Sequence, residues 1–482
     1  MKTIVLFHRL DLTDLYVSLG KILEPRVRVV HLAYSEKEVA RLRELNVSGP
    51  ITVFTDEVRR LYPSSVVDQT KLEEIDGLFI RASHGAFNLN GAIQSDRGFR
   101  HLSLDEAQQL TFTYYRFWTE FLERHDANLV LHETCSLMFN FVASMLCSAR
   151  GGHYLYTIMV QGPGAGFYHL TMSGFEFDCM DLNRALEALG SGSLQVDEAK
   201  CAAFLTEFRK DASIFLGGSF KKPLLARLAA VALYKWARRT LRSNPYDRVL
   251  ENIDYWEFGE NMAAEKLRNL RAYRRRVIFD DFDATQPYFF YPIHLEPEAV
   301  VLYHAHGLYT NQVKLMQNIA AQLPPGVFLY VKDHPHDQGY RSVEDYLVLK
   351  SIPNIRLLES HLPAKKIVAH SLGVITLTGT AGFEALLLGK RVFTFGKTYY
   401  SEGPGVVYLR NIRDLREAIY RSLARPEITE AELYRYLTAY FAALRPGLVD
   451  YFAGRAQRYG IDLEKNAEDV ANGLLATLQG QE

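Results

Sequence analysis

The sequence predicts an α/β protein with two sheet-bearing halves, each a parallel sheet interleaved with helices. Short apolar runs alternate with amphipathic helical patterns over residues 1–182 and again over 285–426. Such alternation forces strands to run parallel and places helices on the sheet faces. Between the halves, over 183–284, strand signals vanish and helical patterns dominate, so this stretch reads as a helical insertion or linker. Residues Ile375 to Gly396, ITLTGTAGFEALLLGKRVFTFG, condense the same grammar into one unit of strand, small-residue turn, helix and strand.

In the first half, Thr3–Phe7, Val27–Leu32 and Gly77–Ile80 read as short buried strands. Leu104–His125 has the apolar spacing of a long amphipathic helix. Ala127–Leu131 is the next strand, Ser136–Arg150 a helix closed by Gly151-Gly152, and Tyr154–Val160 the strand after it. The glycine-rich QGPGAGFYHL that follows is either a hairpin or a segment that approaches a sugar closely. A β-rich run restarts at Tyr288, and Phe328–Lys332 and Val374–Leu377 follow as strands. The tail, 427–482, is helical with a break at Pro446-Gly447.

Two strand ends in the second half carry the chemistry. The turn Thr378-Gly379-Thr380-Ala381-Gly382 precedes an apolar helix, Phe383 to Leu388, that Gly389 closes. A helix N-terminus offers free amides and a favourable dipole to an anion, and glycine admits a phosphate close to the backbone. Glu384, one turn in, is placed to accept hydrogen bonds from ribose hydroxyls. The alternative is an ordinary strand–helix corner with glycines for packing. The strand FLYVK ends in Lys332, His334, Pro335 and His336. Open α/β sheets bind ligands at the carboxyl ends of their strands, so these residues are expected to share a crevice with the turn. Lys332 would neutralise phosphate charge, and His334 would donate to a departing phosphate oxygen. In YHAHGLY, Gly307 would bring amides near the same ligand, and His306 would contact its base or phosphate.

The segments YFFYPIHLEPEAVV, HGLYTNQVKLMQNIAAQLP, VKDHP, IPNIRLL and TLTGTAGFEALLLGKRVFTFG occur in that order between about Pro287 and Val407. Together they resemble the capsule polysaccharide biosynthesis family, which includes bacterial transferases of 3-deoxy-octulosonic acid (Kdo) that use CMP-Kdo. The resemblance implies two Rossmann-like domains facing a cleft, the GT-B arrangement, with the donor nucleotide held by the C-terminal one. It implies a metal-independent glycosyltransferase of capsule or lipopolysaccharide synthesis, with a CMP-sugar as co-substrate, no separate cofactor, and a glycan or glycolipid acceptor. Residues 1–182 would then serve the acceptor, 285–426 the donor, and the helices of 427–482 would pack back on the first domain. A UDP-sugar transferase, a nucleotide-sugar epimerase and a non-catalytic capsule-assembly protein are the alternatives.

Glycosyl transfer needs a carboxylate to act as base or nucleophile. Glu133, in NLVLHETCSL at the end of a strand, is the candidate, with a helix-end hydrogen-bonding role as the alternative. His8 and Asp11, after the first strand, are a candidate cleft-edge pair, with a loop in which Asp11 caps the next helix as the alternative.

Composition sets outer limits. The 482 residues suffice for two or three domains with sizeable cores. A formal net charge of −1 argues against a nucleic-acid partner, which usually selects a basic excess. The four cysteines lack metal-ligand spacing, the paired His304 and His306 have no third ligand, and no metal is expected. The apolar run at the N-terminus is too short for a signal peptide, so a cytoplasmic protein is expected. Residues 213–246 combine Lys221, Lys222, Arg227, Lys235, Arg238, Arg239 and Arg242 with leucines and Trp236, and contain no acidic residue. They read either as a helix lying on the inner-membrane surface or as one packed in the protein with solvated cations.

Overall fold

The computed structural model describes residues 2–10, 12–99, 102–210 (apart from 173, 175, 176 and 178), 279–296, 300–334, 341–449 and 460–479, with scattered helical positions between 226 and 270. Asp11, Pro335 and His336 lie outside the described residues, as does most of the basic stretch 213–246. The chain forms two compact units, Met1–Gln195 with Thr438–Glu482, and Val196–Leu437.

The first unit holds β1 (Thr3–His8), β2 (Arg28–Ala33), β3 (Thr52–Val53), β4 (Leu129–Leu131), β5 (His153–Gly162) and β6 (Gly164–Thr171). Their order is β3-β2-β1-β4-β5-β6, parallel except for β6, and Arg445–Pro446 adds an antiparallel strand beyond β6. Every residue of β1 is buried, as expected of a central strand covered on both faces. Ile4, Leu6, Tyr16 and Leu19 share a core with Val470 and Leu474 of the helix Leu463–Gln479. Lys2 Nζ donates to the Leu478 carbonyl at 2.7 Å. The glycine-rich segment after β5 is the β5–β6 hairpin.

One expected strand is overturned. Gly77–Ile80 belongs to the helix Gln69–Ala82. Asp68 caps that helix through the Lys71 amide, and Ile75 and Phe79, four apart, form its buried stripe. Ile80 faces outward, so the apolar run there is one helix face plus an exposed residue rather than a strand.

The second unit holds β7 (Tyr288–Pro292), β8 (Phe328–Lys332), β9 (Ile355–Leu358), β10 (Gly373–Thr376), β11 (Arg391–Thr394) and β12 (Val406–Tyr408). All pairings are parallel, in the order β9-β8-β7-β10-β11-β12. Phe289, Tyr291, Leu329, Val331, Ile375 and Phe393 pack against Met316, Ile319, Tyr346 and Leu415 from surrounding helices. This is the doubly wound order in which winding reverses between the first and fourth strands, here β7 and β10. The first sheet reverses likewise between β1 and β4. Both units are therefore α/β with a largely or wholly parallel sheet, as the alternation predicted. Among the described residues, no helix is long and apolar enough to cross a membrane.

Candidate functional site

The winding reverses between β7 and β10, the place where open α/β sheets form a crevice, and chemically active side chains of the second unit collect at the carboxyl ends of these strands and of β8. The helix after β10 runs from Thr380 to Leu387, starting earlier than its apolar pattern suggested. Thr380 and Ala381 therefore lie in its first turn. Gly379 is the cap and supplies no side-chain acceptor. Thr380 is exposed. The loop is held by Tyr400, whose hydroxyl donates to the Gly379 carbonyl at 2.5 Å, and by the Gly379 amide on Thr376 Oγ1 at 3.3 Å. The Thr378 hydroxyl is buried without a hydrogen-bond partner among the described residues.

Lys332 ends β8 and is 7% exposed. Burial lowers its pKa, against the opposing pull of the Asp333 and Glu384 carboxylates. Asp333 is sealed, accepts from Tyr346 Oη at 2.6 Å and from the His334 amide at 3.1 Å, and burial raises its pKa. Glu384 is 7% exposed and burial raises it to about 7, opposed by Lys365 and Lys332. Asp333, Glu384 and Glu296 thus meet Lys332, Lys365 and Arg341, with His294, His304 and His334 close enough to act on one another electrostatically. Arg341 pairs with Glu296 at 3.2 Å.

Between the unfolded carboxyl value and about 7, folded Glu384 binds a proton that the unfolded chain has released. Folding stability therefore falls as pH rises through that window, by on the order of 3 kcal/mol for a shift of this size. Urea midpoints at pH 5 and pH 8 should differ less in Glu384→Gln than in the parent, and an unchanged difference would show that Glu384 does not titrate there.

His306 and Gly307 sit at consecutive positive φ angles, 59° and 66°. The His306 ring meets Tyr408 Oη, on β12, at 3.1 Å. This sharp turn follows Val300–His304. Burial lowers His304 to about 4, with His306 adding to the effect. Among the described residues, no cluster of three or more His, Cys, Asp or Glu side chains is placed to hold a metal ion, and the four cysteines are free and buried.

In the first unit, the reversal between β1 and β4 brings Arg9 and Glu133 together in a buried ion pair, with side chains 1% and 3% exposed. The Arg9 guanidinium also lies over the Tyr34 ring, 4.6 Å from its centroid. Burial raises the Glu133 pKa and Arg9 opposes it. Tyr154 Oη donates to the Glu133 carbonyl at 2.9 Å. His132 is stacked on Phe7 and its Nδ1 donates to the Phe7 carbonyl at 2.9 Å; burial, with Arg9 beside it, lowers its pKa well below the usual histidine value against the pull of that hydrogen bond. Glu133 is thus at the strand end expected of it, with its carboxylate committed to Arg9.

Residues 244–443 match the model of the capsule polysaccharide biosynthesis protein family. The matched stretch contains the whole second sheet and all the residues at its strand ends described above. Over 117 residues, 23% of this chain, the sequence is 27% identical to the capsule polysaccharide export protein KpsS of Escherichia coli, and the match spans 29% of that protein's length. Among solved structures, a β-Kdo 2,4 transferase, KpsC of Thermosulfurimonas dismutans, aligns at 15% identity over 72% of this chain and 87% of its own, with a TM-score of 0.30. A UDP-GlcNAc 2-epimerase of Neisseria meningitidis bound to UDP-GlcNAc aligns at 12% identity over 99% and 100%, with a TM-score of 0.27.

Within the matched stretch, the structure brings Lys332, His334, Thr378, Gly379, Thr380, Ala381 and Glu384 to the ends of β8 and β10. His306 and Gly307 lie in the turn that reaches β12 through Tyr408. Sequence reasoning passed over His294, Gln312 and Arg341. His294 stands two residues past β7 in YFFYPIHLEP, and the strand-end rule that selected Lys332 would have selected it as well.

Proposed function

We propose that this protein is a nucleotide-sugar-dependent glycosyltransferase of bacterial surface polysaccharide assembly, capsule or lipopolysaccharide. Its donor nucleotide sits in the crevice between β7 and β10. The observation that carries this reading is the uncapped helix start at Thr380 beside Lys332 and Glu384, at the switch point of a doubly wound sheet inside the matched stretch. Thr378, Gly379, Thr380 and Ala381 cradle the phosphate, Lys332 neutralises it, and Glu384 accepts from the ribose. His306 and Gly307 complete the lining. His334 donates to the leaving phosphate oxygen. The donor is a CMP-activated ulosonic acid, Kdo or a relative, and the acceptor a glycan or glycolipid.

Thermal stabilisation by a nucleotide panel tests the reading. Stabilisation by CMP above UDP is expected. UDP preference would replace the donor class, and no response to either would overturn the assignment.

Thr380→Asp separates binding from folding. A carboxylate in the first turn favours the helix, yet it occupies and repels the phosphate position. Nucleotide affinity should fall at least about tenfold, ~1.4 kcal/mol, with no loss of thermal stability. Retained affinity would place the phosphate elsewhere.

We further propose that the basic stretch 213–246 rests on an anionic leaflet, where a lipid-linked acceptor would be presented. Its described positions Leu233, Tyr234 and Trp236 are 65%, 61% and 65% exposed. Each basic residue near such a surface contributes about 1 kcal/mol. The protein should sediment with vesicles containing phosphatidylglycerol and remain in solution with phosphatidylcholine alone. Equal behaviour with both would remove the membrane from the proposal.

A further inference from the structure

We propose that His294 is a phosphate-binding residue, presenting a fixed Nδ1–H donor to the anion at the start of the Thr380–Leu387 helix. The inference rests on the preceding reading of the crevice as the nucleotide site, and adds to it a residue and a proton position.

The backbone of His294 is clamped first. Gln312, fully buried, accepts the His294 amide through Oε1 at 2.9 Å and donates Nε2 to the His294 carbonyl at 2.9 Å. One side-chain amide thereby does what a neighbouring strand would do for β7, just where the ladder ends. The same Nε2 reaches Glu296 Oε1 at 2.7 Å, and Tyr291 Oη donates to Oε1 at 3.2 Å. Glu296 is held in turn by Arg341.

The ring is then fixed by the loop it faces. Its Nε2 lies 3.3 Å from the Leu377 amide nitrogen and 3.0 Å from Thr376 Oγ1. A backbone N–H only donates, so Nε2 is the acceptor and a neutral ring carries its proton on Nδ1. Burial, with His334, Arg341 and His304 as neighbours, lowers the His294 pKa to about 3, so the ring is neutral at working pH. The Thr376 hydroxyl, which accepts from the Gly379 amide, passes its own proton toward Nε2. His294, Thr376 and Gly379 are therefore wired in series.

Nδ1 has no partner among the described residues, although His294 is only 8% exposed. Its direction follows from Gly379. A Cβ on that residue would meet His294 Cε1 at 2.6 Å and Nδ1 at 3.3 Å. The donor edge thus borders the backbone that leads into the uncapped first turn. Two independent features converge on one position, free helix amides from β10 and an unmatched imidazole N–H from β7, and a phosphate oxygen suits both. A neutral donor also divides the labour: Lys332 supplies charge, and His294 supplies direction.

Two substitutions distinguish the ring's two edges. Asparagine places its amide N–H near the Nδ1 position, whereas glutamine reaches the Nε2 position and can still accept from Leu377. CMP and UDP, with cytidine and uridine, are titrated calorimetrically into the parent and both variants. For the nucleotide that binds the parent, His294→Gln should lower affinity at least tenfold and leave the nucleoside unchanged, while His294→Asn stays within about threefold of the parent. Undiminished nucleotide affinity in His294→Gln overturns the inference, and so does an equal loss for nucleotide and nucleoside, which marks a structural role. A parent that binds neither CMP nor UDP overturns the nucleotide-site reading itself, and this inference with it. Nitrogen-15 spectra of histidine-labelled parent protein need no variant: a neutral, Nδ1-protonated ring whose proton shifts on nucleotide addition is expected. An Nε2-protonated ring would refute the assignment.

Discussion

Glu133→Gln is expected to destabilise the first unit by about 3–5 kcal/mol, the usual cost of stripping one partner from a buried ion pair. Arg9 would stay sealed beneath Tyr34 without the carboxylate it pairs with, since the amide oxygen of glutamine accepts a hydrogen bond but carries no charge. Chemical denaturation should show a lower midpoint with an unchanged slope. The double variant Arg9→Met with Glu133→Leu should recover most of the loss, because both buried charges of the pair are then replaced by apolar groups. Glu133 was also the carboxylate expected to act as base or nucleophile, and the same variant weighs that role. Full stability with turnover lowered by several powers of ten would show that the pair opens during the reaction. Lost stability with proportionate loss of activity would make the carboxylate a brace for Arg9.

His334→Ala should lower turnover by roughly 100-fold, with nucleotide affinity and stability nearly unchanged. The side chain follows the buried Asp333 at the end of β8, and its amide is hydrogen-bonded to the Asp333 carboxylate, so removing the imidazole leaves the backbone anchored. A leaving phosphate gains negative charge as the glycosidic bond breaks, and a donor at that oxygen matters most in the transition state. Donors with a better leaving group should therefore suffer less from the substitution. Parent-level turnover would reduce the His-Pro pair to a turn.

The fold class was legible because parallel α/β packing leaves a local trace: apolar strands of four or five residues, separated by amphipathic helices. The failure at Gly77–Ile80 shows the limit of that trace. Four residues of a helix whose buried stripe is Ile75 and Phe79 look like a strand when read alone. At the crevice, the glycine turn stood out because a run of small residues between an apolar strand and an apolar helix leaves the first-turn amides open to an anion. The pairings behind it left no such mark. Thr376 and His294 are 82 positions apart, and Arg9 and Glu133 are 124 apart. Only strand order makes them neighbours, and strand order is a property of the folded sheet. The N-terminal limit of the helix after β10 was misplaced for a related reason. Thr380 and Ala381 look like turn residues, yet Tyr400 and Thr376 hold Gly379 in the extended conformation that starts the helix there.

The order in which the chain is made bears on how the first unit is completed. Its sheet edge at β6 is paired by Arg445–Pro446, and one face of β1 is covered by the helix Leu463–Gln479. The whole of the second unit is synthesised before either segment leaves the ribosome. For all that time the nascent first unit exposes an unpaired strand edge and an apolar face, both of which invite association with other chains. The second unit, contiguous in sequence, meets no such delay. Ribosome-bound chains stopped after residue 437 should therefore hold nucleotide while their first 195 residues remain protease-sensitive, and should aggregate when released.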